Sequence, residues 1–499
     1  LHIRGGRANE MRYTVDGMAP QGQITNMEEY TTIKPNIYHS PLTEPLSTFS
    51  IDVDTATYSN VRRMLNGNQL PDPNSVRIEE LINYFDYDYP EPQGEHPFSI
   101  YTELATCPWN EEHQLLHIGL RGQGMDMENA PPSNLVFLID VSGSMAPSNK
   151  LPLVQEALSL LVDRLRPQDR IGIVTYASGT RVALQPSSGD EPEMIKQVIR
   201  SLRSGGSTAG AAGIQLAYEL ANQNLDPEGN NRIILCTDGD FNVGITSSSA
   251  LEEMIVSNRN KGIFLSILGF GMGNYKDARM EMLADKGNGN YAYIDNLSEA
   301  KKVLVHGITS TLFTIAKDVK IQAEFNPAHV RGYRLIGYEN RILNAEDFRD
   351  DTKDAGELGA GHTVTALYEL IPADSREAIP ELDSLRYQSS QITEEARRSS
   401  ELAVVKLRYK LPLGDTSIPL ESPVLNLPLR NSQTSDRFRF AASVAGYGLM
   451  LQNSEFKGNL SWDMVQSLGT DSLGSDRFGY GREFLQLVER AKQLSRQRN

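Results

Sequence analysis

Residues 133–316 alternate between short apolar segments and longer amphipathic ones, and this alternation restricts the fold more than any other feature of the chain. Mostly apolar segments of strand length, such as 135–141 and 264–269, are separated by stretches with a helical spacing of apolar residues, such as 150–165. Short buried strands that alternate with helices form a mostly parallel sheet covered by helices on both faces. This segment is therefore predicted to be a doubly wound α/β domain.

The first predicted strand of this domain leads directly into Asp140, Ser142 and Ser144, which occupy every second position. In open α/β sheets, ligands bind outside the carboxyl ends of the strands, so this run places one carboxylate and two hydroxyls in that crevice. Gly143 allows the backbone to turn tightly enough for the three side chains to converge. Oxygen donors alone suit a hard cation such as Mg²⁺.

Two later loops of the same domain add further oxygen donors. Thr208 follows the glycine-rich run 204–207 and precedes a predicted helix, and Asp238 follows the predicted strand 232–237. Each fragment alone is ordinary, because a Gly-Gly-Ser-Thr run is commonly a helix cap and an Asp-Gly pair is commonly a turn. The three fragments together, in this order within one α/β unit, predict a site for Mg²⁺, or for Ca²⁺ or Mn²⁺.

This set of residues resembles the metal-ion-dependent adhesion site of von Willebrand factor A domains, and the resemblance spans residues 133–316. It implies that the serines and the threonine bind the ion directly or through water, while the aspartates often act through water. It also implies that one coordination position is left for an acidic residue of a partner protein. Asp240 is not expected to be a ligand. The implied metal-site residues are Asp140, Ser142 and Ser144 in the first loop, Thr208 in the second and Asp238 in the third.

Segments on both sides of this domain resemble a narrower group of proteins. Residues 49–58 and 76–85 resemble the N-terminal region of bacterial YfbK-type A-domain proteins, and residues 354–370 resemble the C-terminal region of the same proteins. Composition alone would also allow a plainer interpretation of the last run, as a glycine-rich loop that feeds a strand. The resemblance as a whole covers roughly residues 34–499.

After residue 318 the apolar residues repeat with period two, which predicts an antiparallel β-sandwich, and helical spacing returns from residue 435 to residue 496. Polar loops are predicted at 347–361 and 373–401. The predicted organisation is a linker at 1–33, an N-terminal region at 34–132, the α/β domain at 133–316 and a β-rich region with terminal helices at 317–499.

The N-terminal residues resemble a second family, over a much shorter stretch. Residues 3–10 and 13–17 resemble the plug-domain segment of TonB-dependent outer-membrane transporters, although an Asp-Gly hairpin turn is the plainer interpretation of residues 16 and 17. Because the likeness is confined to this stretch, it implies a setting in a Gram-negative cell envelope rather than a whole transporter. The chain starts without an initiator Met or a signal peptide, so it is expected to be a processed piece of a longer protein.

Charge and composition limit the partners. The net charge of −16 argues against nucleic acid, because phosphate binding needs clustered cations. It is compatible with binding a divalent ion or a basic partner, and equally with solubility alone. No apolar stretch approaches the roughly 18–20 residues that span a bilayer, so no transmembrane segment is predicted. With only Cys107 and Cys236 present, a disulfide framework is not expected.

Two other patterns are assigned no chemistry. The run from Asp52 to Asp54 is similar to the nucleophile motif of haloacid-dehalogenase phosphatases, but Ala56 stands where that motif has Thr or Val. A helix cap and a surface carboxylate are therefore the favoured interpretation. His113 and His117 are four residues apart, but the segment is predicted to be a strand, where this spacing does not bring two rings to one ion.

These observations favour a non-enzymatic, metal-dependent protein-binding module of the cell envelope, whose ion is completed by an Asp or Glu of the partner. A metal-assisted hydrolase of phosphate esters is the first alternative, because Asp238 and Asp240 would be able to position a water. The second alternative is a structural scaffold in which the ion only stiffens the domain.

Overall fold

The computed structural model describes residues 32–498 apart from 52, 208–209, 240–247, 272–276, 352, 354, 380–390 and 413. In this part of the chain the strands are, in order, β1 (Leu46–Ser50), β2 (Phe98–Cys107), β3 (Asn110–Gly122), β4 (Ser133–Asp140), β5 (Arg170–Tyr176), β6 (Thr180–Ser188), β7 (Asn230–Thr237), β8 (Ile263–Phe270), β9 (Tyr291–Ile294), β10 (Thr314–Phe325), β11 (Val330–Ile336), β12 (Ile342–Leu343), β13 (Gly356–Gly359), β14 (Thr363–Pro372), β15 (Glu401–Lys410) and β16 (Ile418–Leu425). The α-helices are α1 (Ala56–Asn66), α2 (Ile78–Ile82), α3 (Leu151–Val162), α4 (Pro192–Ser201), α5 (Gly210–Gln223), α6 (Ser248–Arg259), α7 (Asp277–Lys286), α8 (Leu297–Lys301), α9 (Ile308–Leu312), α10 (Glu394–Arg398), α11 (Asp436–Leu451), α12 (Trp462–Thr470) and α13 (Tyr480–Arg498).

The α/β domain is built on a sheet with the strand order β6-β5-β4-β7-β8-β9. Neighbouring strands run parallel except at one edge, where β6 pairs antiparallel with β5. Every residue of β4 and of β7 is buried, because helices cover both faces of the sheet. The predicted doubly wound α/β fold is confirmed.

Strand direction and register bring the ends of β4 and β7 to one edge of this sheet. The two strands are parallel neighbours, and Ile139 of β4 pairs with Cys236 of β7, which is a buried free thiol. Asp140 is the last residue of β4, and Asp238 directly follows β7. The two carboxylates that are predicted to hold an ion therefore leave adjacent strands at the carboxyl edge of the sheet.

Two antiparallel sheets form a sandwich, one in the order β12-β1-β10-β15-β16, with β13 on β10, and the other in the order β11-β14-β3-β2. Both sheets take strands from both flanks of the α/β domain, because β1 pairs with β10 and β3 pairs with β14. Aromatic rings fill the space between the sheets. Phe49 lies 4.9 Å from Tyr338, and Phe325 lies 4.5 Å from Tyr333, between ring centroids. The α/β domain is thus an insertion between two strands of the sandwich, β3 and β10.

The C-terminal helices share a core with the helices of the N-terminal flank. Gly448 lets α11 approach α2, because a β-carbon at this position would lie 2.9 Å from Cγ1 of Ile78. Phe85 meets Phe440 and Phe484 edge to face, at 5.1 and 5.6 Å between ring centroids. The terminal helices that the sequence predicts are present, and they join the two ends of the described chain.

The last helix of the α/β domain differs from the sequence-based expectation. The spacing of apolar residues predicts one helix over 298–313, whereas the structure has α8, a π-helical turn at Lys302–His306 and then α9. Gly307 donates its N–H to the carbonyl of Lys302 at 2.8 Å, and Thr311 Oγ1 donates to the carbonyl of Val303 at 3.1 Å. These bonds replace the regular helical ladder, so the helix is widened for one turn.

The edge of the sandwich also differs from expectation. A strand is predicted at 424–429, but β16 lies earlier and includes Pro419 and Pro423. In the described part of the chain β16 pairs only with β15, so the missing N–H groups of these prolines are tolerated at an edge. The two predicted polar loops contain short elements as well, β13 in 347–361 and α10 in 373–401.

A buried guanidinium joins three parts of the chain. Arg62 of α1 is 1% exposed, and its Nη2 lies 2.7 Å from Oε2 of Glu299, at the start of the last helix of the α/β domain. Its Nε donates to Oδ2 of Asp295 at 2.9 Å, and its Nη1 lies 3.0 Å from Oε2 of Glu483 in α13. A buried charge is stable only when it is paired and hydrogen-bonded in this way.

We expect Arg62→Met to lower the free energy of unfolding by about 3–5 kcal/mol, because buried carboxylates would lose their counter-charge. Urea titration followed by circular dichroism measures the change. Arg63→Met is the matched control on the same helix, since Arg63 is only half-buried, and it should cost less than about 1 kcal/mol. Equal losses in the two variants would attribute the effect to helix packing instead of the ion cluster.

A second buried cluster of charges lies where α2 meets the α/β domain. Glu80 accepts a hydrogen bond from the N–H of Thr57 at 2.8 Å, and its Oε1 lies 3.2 Å from Nη1 of Arg77, which also pairs with Glu281 of α7 at 3.1 Å. Burial raises the pKa of Glu80 to about 7 in spite of the opposing effect of Arg77, and the charges of Glu281 and Glu79 act in the same direction as burial. Glu80 therefore stays protonated at pH values where the unfolded chain has ionised.

This protonation makes stability depend on pH. Between about pH 4.5 and 7 the folded protein holds a proton on Glu80 that the unfolded chain has released. The contribution of Glu80 to the free energy of unfolding is therefore fully present below about pH 4.5 and is lost as the pH rises through 7. Glu80→Gln cannot ionise, so we compare its free energy of unfolding with that of the unaltered chain at each pH. From pH 5 to pH 8 this difference should shift by roughly 1–3 kcal/mol in favour of the variant. Unfolding curves at both pH values measure this gain. The exposed Glu112→Gln should show no such gain, and an E80Q variant that behaves like it would contradict the assignment.

Candidate metal site

The first loop folds back on the carboxylate that precedes it. Asp140 is fully buried, and its Oδ1 accepts a hydrogen bond from the N–H of Ser142 at 2.8 Å. A short 3₁₀ turn at Gly143–Met145 then brings the hydroxyl of Ser144 to 3.0 Å from that of Ser142. One carboxylate and two hydroxyls are thereby gathered at the carboxyl end of β4.

Main-chain hydrogen bonds join the second loop, at 204–207, to the first loop, which follows β4. Gly143 donates its N–H to the carbonyl of Gly206 at 2.9 Å, and Gly205 donates to the carbonyl of Val141 at 2.8 Å. Gly206 has a φ of +85°, in the left-handed region that favours glycine. Thr208, the predicted second-loop ligand, lies outside the described residues, two positions beyond Gly206.

The third loop brings Asp238 to the same edge. Its side chain is 3% exposed, and the chain turns sharply after it, because Gly239 has a φ of +86° and donates its N–H to Oγ1 of Thr237 at 3.2 Å. The negative charge of Asp238 acts on Asp140. The predicted site residues that the structure brings to this edge are Asp140, Ser142, Ser144 and Asp238.

One carboxylate oxygen of Asp140 has no hydrogen-bond donor among the described residues. Burial raises the pKa of Asp140 to about 6, the N–H and the hydroxyl of Ser142 lower it, the charge of Asp238 raises it, and the nearby hydroxyl of Tyr176 lowers it. The buried Oδ2 of Asp140 accepts no hydrogen bond from the described residues. Leaving such an oxygen unpaired costs about 1–3 kcal/mol, and a bound cation would remove that cost. The donor set and the unpaired oxygen therefore fit a hard divalent ion.

The other histidine and acid patterns do not converge in this way. In the described part of the chain, no three side chains of His, Cys, Asp or Glu are arranged to hold a metal ion. His113 lies on β3 with its two ring nitrogens each 2.7 Å from a carboxylate, of Glu369 and of Glu377, while His117 is buried 2.5 Å from the hydroxyl of Tyr89. The two rings serve separate structural contacts.

The expectation of a surface carboxylate before α1 is wrong for Asp54. This residue is buried, where it accepts a hydrogen bond from the N–H of Tyr291 at 3.3 Å and lies 3.7 Å from Arg341. Thr55 is the N-cap residue of α1. Asp54 therefore helps to join the N-terminal flank to β9, a long-range contact that the local motif does not indicate.

Lys150 belongs to the site although the motif does not include it. Its Nζ lies 2.9 Å from Oδ2 of Asp238. Lys150 directly precedes α3, where a positive charge opposes the helix dipole. Lys150 and Asp238 are 88 residues apart in the sequence, so no local pattern predicts their contact.

Most of the chain matches one family of known proteins. The profile of the von Willebrand factor type A domain matches residues 134–306, the profile "Uncharacterized protein YfbK, C-terminal" matches residues 310–494, and a profile described as von Willebrand factor matches residues 24–117. Protein YfbK of Escherichia coli (strain K12) is 46% identical over 457 residues, which is 90% of this chain and 78% of that protein. This chain belongs to the YfbK family of von Willebrand factor A-domain proteins.

Relatives outside the YfbK family match more weakly. Inter-alpha-trypsin inhibitor heavy chain H4 of Bos taurus is 32% identical over 148 residues, which is 28% of this chain and 16% of that protein. The solved structure of von Willebrand factor type A from Catenulispora acidiphila covers 91% of this chain and 92% of its own, at 13% identity and a TM-score of 0.40. The ArnB paralog VWA2 from Sulfolobus acidocaldarius covers 80% and 98%, at 14% identity and a TM-score of 0.37.

Gly206→Ala should disturb the site. A β-carbon at Gly206 would overlap the hydroxyl of Ser178, and the positive φ is strained for alanine, so the second loop must move away from Gly143. We expect a loss of about 1–3 kcal/mol in the free energy of unfolding, measured in urea, and weaker Mg²⁺ binding, measured by titration calorimetry. Gly205→Ala is the matched control, because a β-carbon there meets no atom within 4 Å. The same losses in both variants would contradict this account of the loop.

Proposed function

We propose that this chain is a non-enzymatic module that binds another protein through a divalent ion. The observation that carries the proposal is the unpaired, buried Oδ2 of Asp140 beside the paired hydroxyls of Ser142 and Ser144. When bound, Mg²⁺, or Ca²⁺ or Mn²⁺, would supply a positive centre that accepts an Asp or Glu of the partner. The residues that would hold the ion are Asp140, Ser142, Ser144, Thr208 and Asp238.

Burial indicates the side from which a partner would approach. Asp140 and Ser142 are buried, whereas Gly143 and Ser144 are exposed. The inner donors are therefore shielded from water, which strengthens electrostatic contacts to them. A partner carboxylate would approach over Ser144.

Net charge supports a dependence on the ion. The chain carries a net charge of −16, so an acidic partner is repelled at long range. A divalent cation between the two carboxylate-bearing surfaces would turn that local repulsion into attraction. Domains of the von Willebrand factor A type commonly mediate protein interactions, which agrees with such a role.

Hydrolysis of phosphate esters has less support. In that alternative Asp238 would position a water, but its Oδ2 is paired with the ammonium of Lys150. Asp240, the other acid considered for this task, lies outside the described residues.

We further propose that the module acts in the cell envelope of a Gram-negative bacterium. This part of the proposal rests on the resemblance of residues 3–17 to a plug segment, and those residues lie outside the described ones. No α-helix in the described ranges combines the length and the apolar character needed to cross a bilayer. Fractionation of the cells that produce the full-length protein tests the location, and recovery in the cytosol alone would contradict it.

Capture from envelope extract tests the binding function. The immobilised chain should retain a protein in Mg²⁺ and release it when a chelator is added, and Asp140→Ala should lose this binding because the central carboxylate is gone. Ser142→Ala should weaken it at least tenfold. Ser187→Ala, which removes a partly exposed hydroxyl from β6 of the same domain, is the matched control and should bind normally. Unchanged capture by Asp140→Ala would sink the proposal.

Two further readouts separate the alternatives. Mg²⁺-dependent turnover of p-nitrophenyl phosphate that is lost in Asp140→Ala would indicate a hydrolase. A rise in melting temperature with Mg²⁺, without any captured protein, would indicate a scaffold that the ion only stiffens.

A further inference from the structure

The ammonium of Lys150 lies against one of the two carboxylates of the candidate metal site. Its Nζ is 2.9 Å from Oδ2 of Asp238, and the two side chains are 12% and 3% exposed. Water therefore has little access to this ion pair, and the attraction is stronger than in a pair on the surface. Lys150 thus brings a built-in positive charge to the site.

The fold holds the lysine side chain in this position. Gly271, at the end of β8, has a φ of +97°, and a β-carbon there would overlap Cε, Cγ and Cδ of Lys150. The carbonyl of Gly271 accepts a hydrogen bond from the hydroxyl of Tyr293. Because fixing a lysine side chain costs up to about 2 kcal/mol of conformational entropy, a recess that accommodates its stem stabilises the extended conformation.

The charges of the site follow from this arrangement. Asp140 and Asp238 lie at the carboxyl ends of adjacent strands, and each is buried. Lys150 offsets one of these two negative charges. The ammonium of Lys150 already occupies Oδ2 of Asp238. A divalent ion must displace this ammonium before both carboxylates can bind it with their full negative charge.

We propose that Lys150 is an internal counter-cation that competes with the divalent ion for Asp238 and so sets the ion affinity of the site. The inference rests on the proposed metal-dependent function. It assigns Lys150 a positioning and regulatory role, since the lysine keeps Asp238 in place when no ion is bound and opposes the binding of an ion at low concentration. Replacing its charge should make the site bind ions more tightly.

Titration calorimetry of the full chain with Mg²⁺ and with Mn²⁺, at constant ionic strength, tests this inference. Lys150→Met should bind at least tenfold more tightly than the unaltered chain, whereas Lys150→Arg, which keeps the charge, should stay within about threefold of it. Lys261→Met removes the same charge from an exposed position in the same domain and should leave the affinity unchanged. Circular dichroism without ion checks that each variant is folded, and Lys150→Gln replaces the Met variant if that one is not.

A double-mutant cycle separates competition from mere structural support. In an Asp238→Asn background the ammonium has no carboxylate to compete for, so adding Lys150→Met should change the affinity by less than twofold. Unchanged or weaker ion binding by a folded Lys150→Met, with binding still lost in Asp140→Ala, would overturn the role of Lys150 and leave the metal site intact. If neither the unaltered chain nor the folded Lys150 variants bind either ion, the proposed function fails as well.

Discussion

The buried guanidinium of Arg62 holds three separate parts of the chain together. It is the point at which the first helix, the inserted α/β domain and the last helix meet, through Asp295, Glu299 and Glu483. Apolar packing alone tolerates small rotations of one element against another, whereas a planar guanidinium accepts its carboxylates only in a few directions. The hydroxyl of Tyr84 also contacts both Arg62 and Glu299, at 3.2 and 2.8 Å, which restricts the cluster further. The orientation of the α/β domain relative to α1 and α13 is therefore specified by charge geometry as well as by apolar packing.

The candidate metal site is organised by the main chain before any ion is considered. The hydrogen bonds between Gly143 and Gly206 and between Gly205 and Val141 fix two loops to each other, and the N–H of Ser142 fixes the carboxylate of Asp140. Donors that are held by such bonds need little rearrangement to bind a ligand, which is the usual requirement for a preorganised site. Among the described site residues, Ser144 lies on the exposed side, whereas Asp140, Ser142 and Asp238 are buried.

The sequence predicts most of the α/β domain, because the signals are local. Apolar runs of strand length and the spacing in the helices locate the elements, and the rule that ligands lie at the carboxyl ends of strands locates Asp140 and Asp238. Contacts between distant residues leave no such signal. Lys150 reaches Asp238 past the distant Gly271, which leaves room for its stem, and Asp54 is buried against the distant Tyr291 and Arg341. The pairing of strands from the two flanks is unpredictable for the same reason, as is the π-helical turn, which depends on specific hydrogen bonds rather than on apolar spacing.

During synthesis, β1 leaves the ribosome long before the strand with which it pairs. The side chains of Thr48 in β1 and Gln322 in β10, which are hydrogen-bonded at 2.9 Å, are 274 residues apart. At the usual pace of about 5–20 residues per second, β1 waits roughly 14–55 s for its neighbour. All strands of the inserted sheet emerge within that interval, so β4 to β9 can assemble while β1 still lacks β10 and the paired strands β2 and β3 still lack β14. The nascent chain must therefore carry β1 unpaired and β3 with one edge open, the condition under which strands pair with the wrong neighbour. Vectorial synthesis thus makes the frame that surrounds the α/β domain the last part to close.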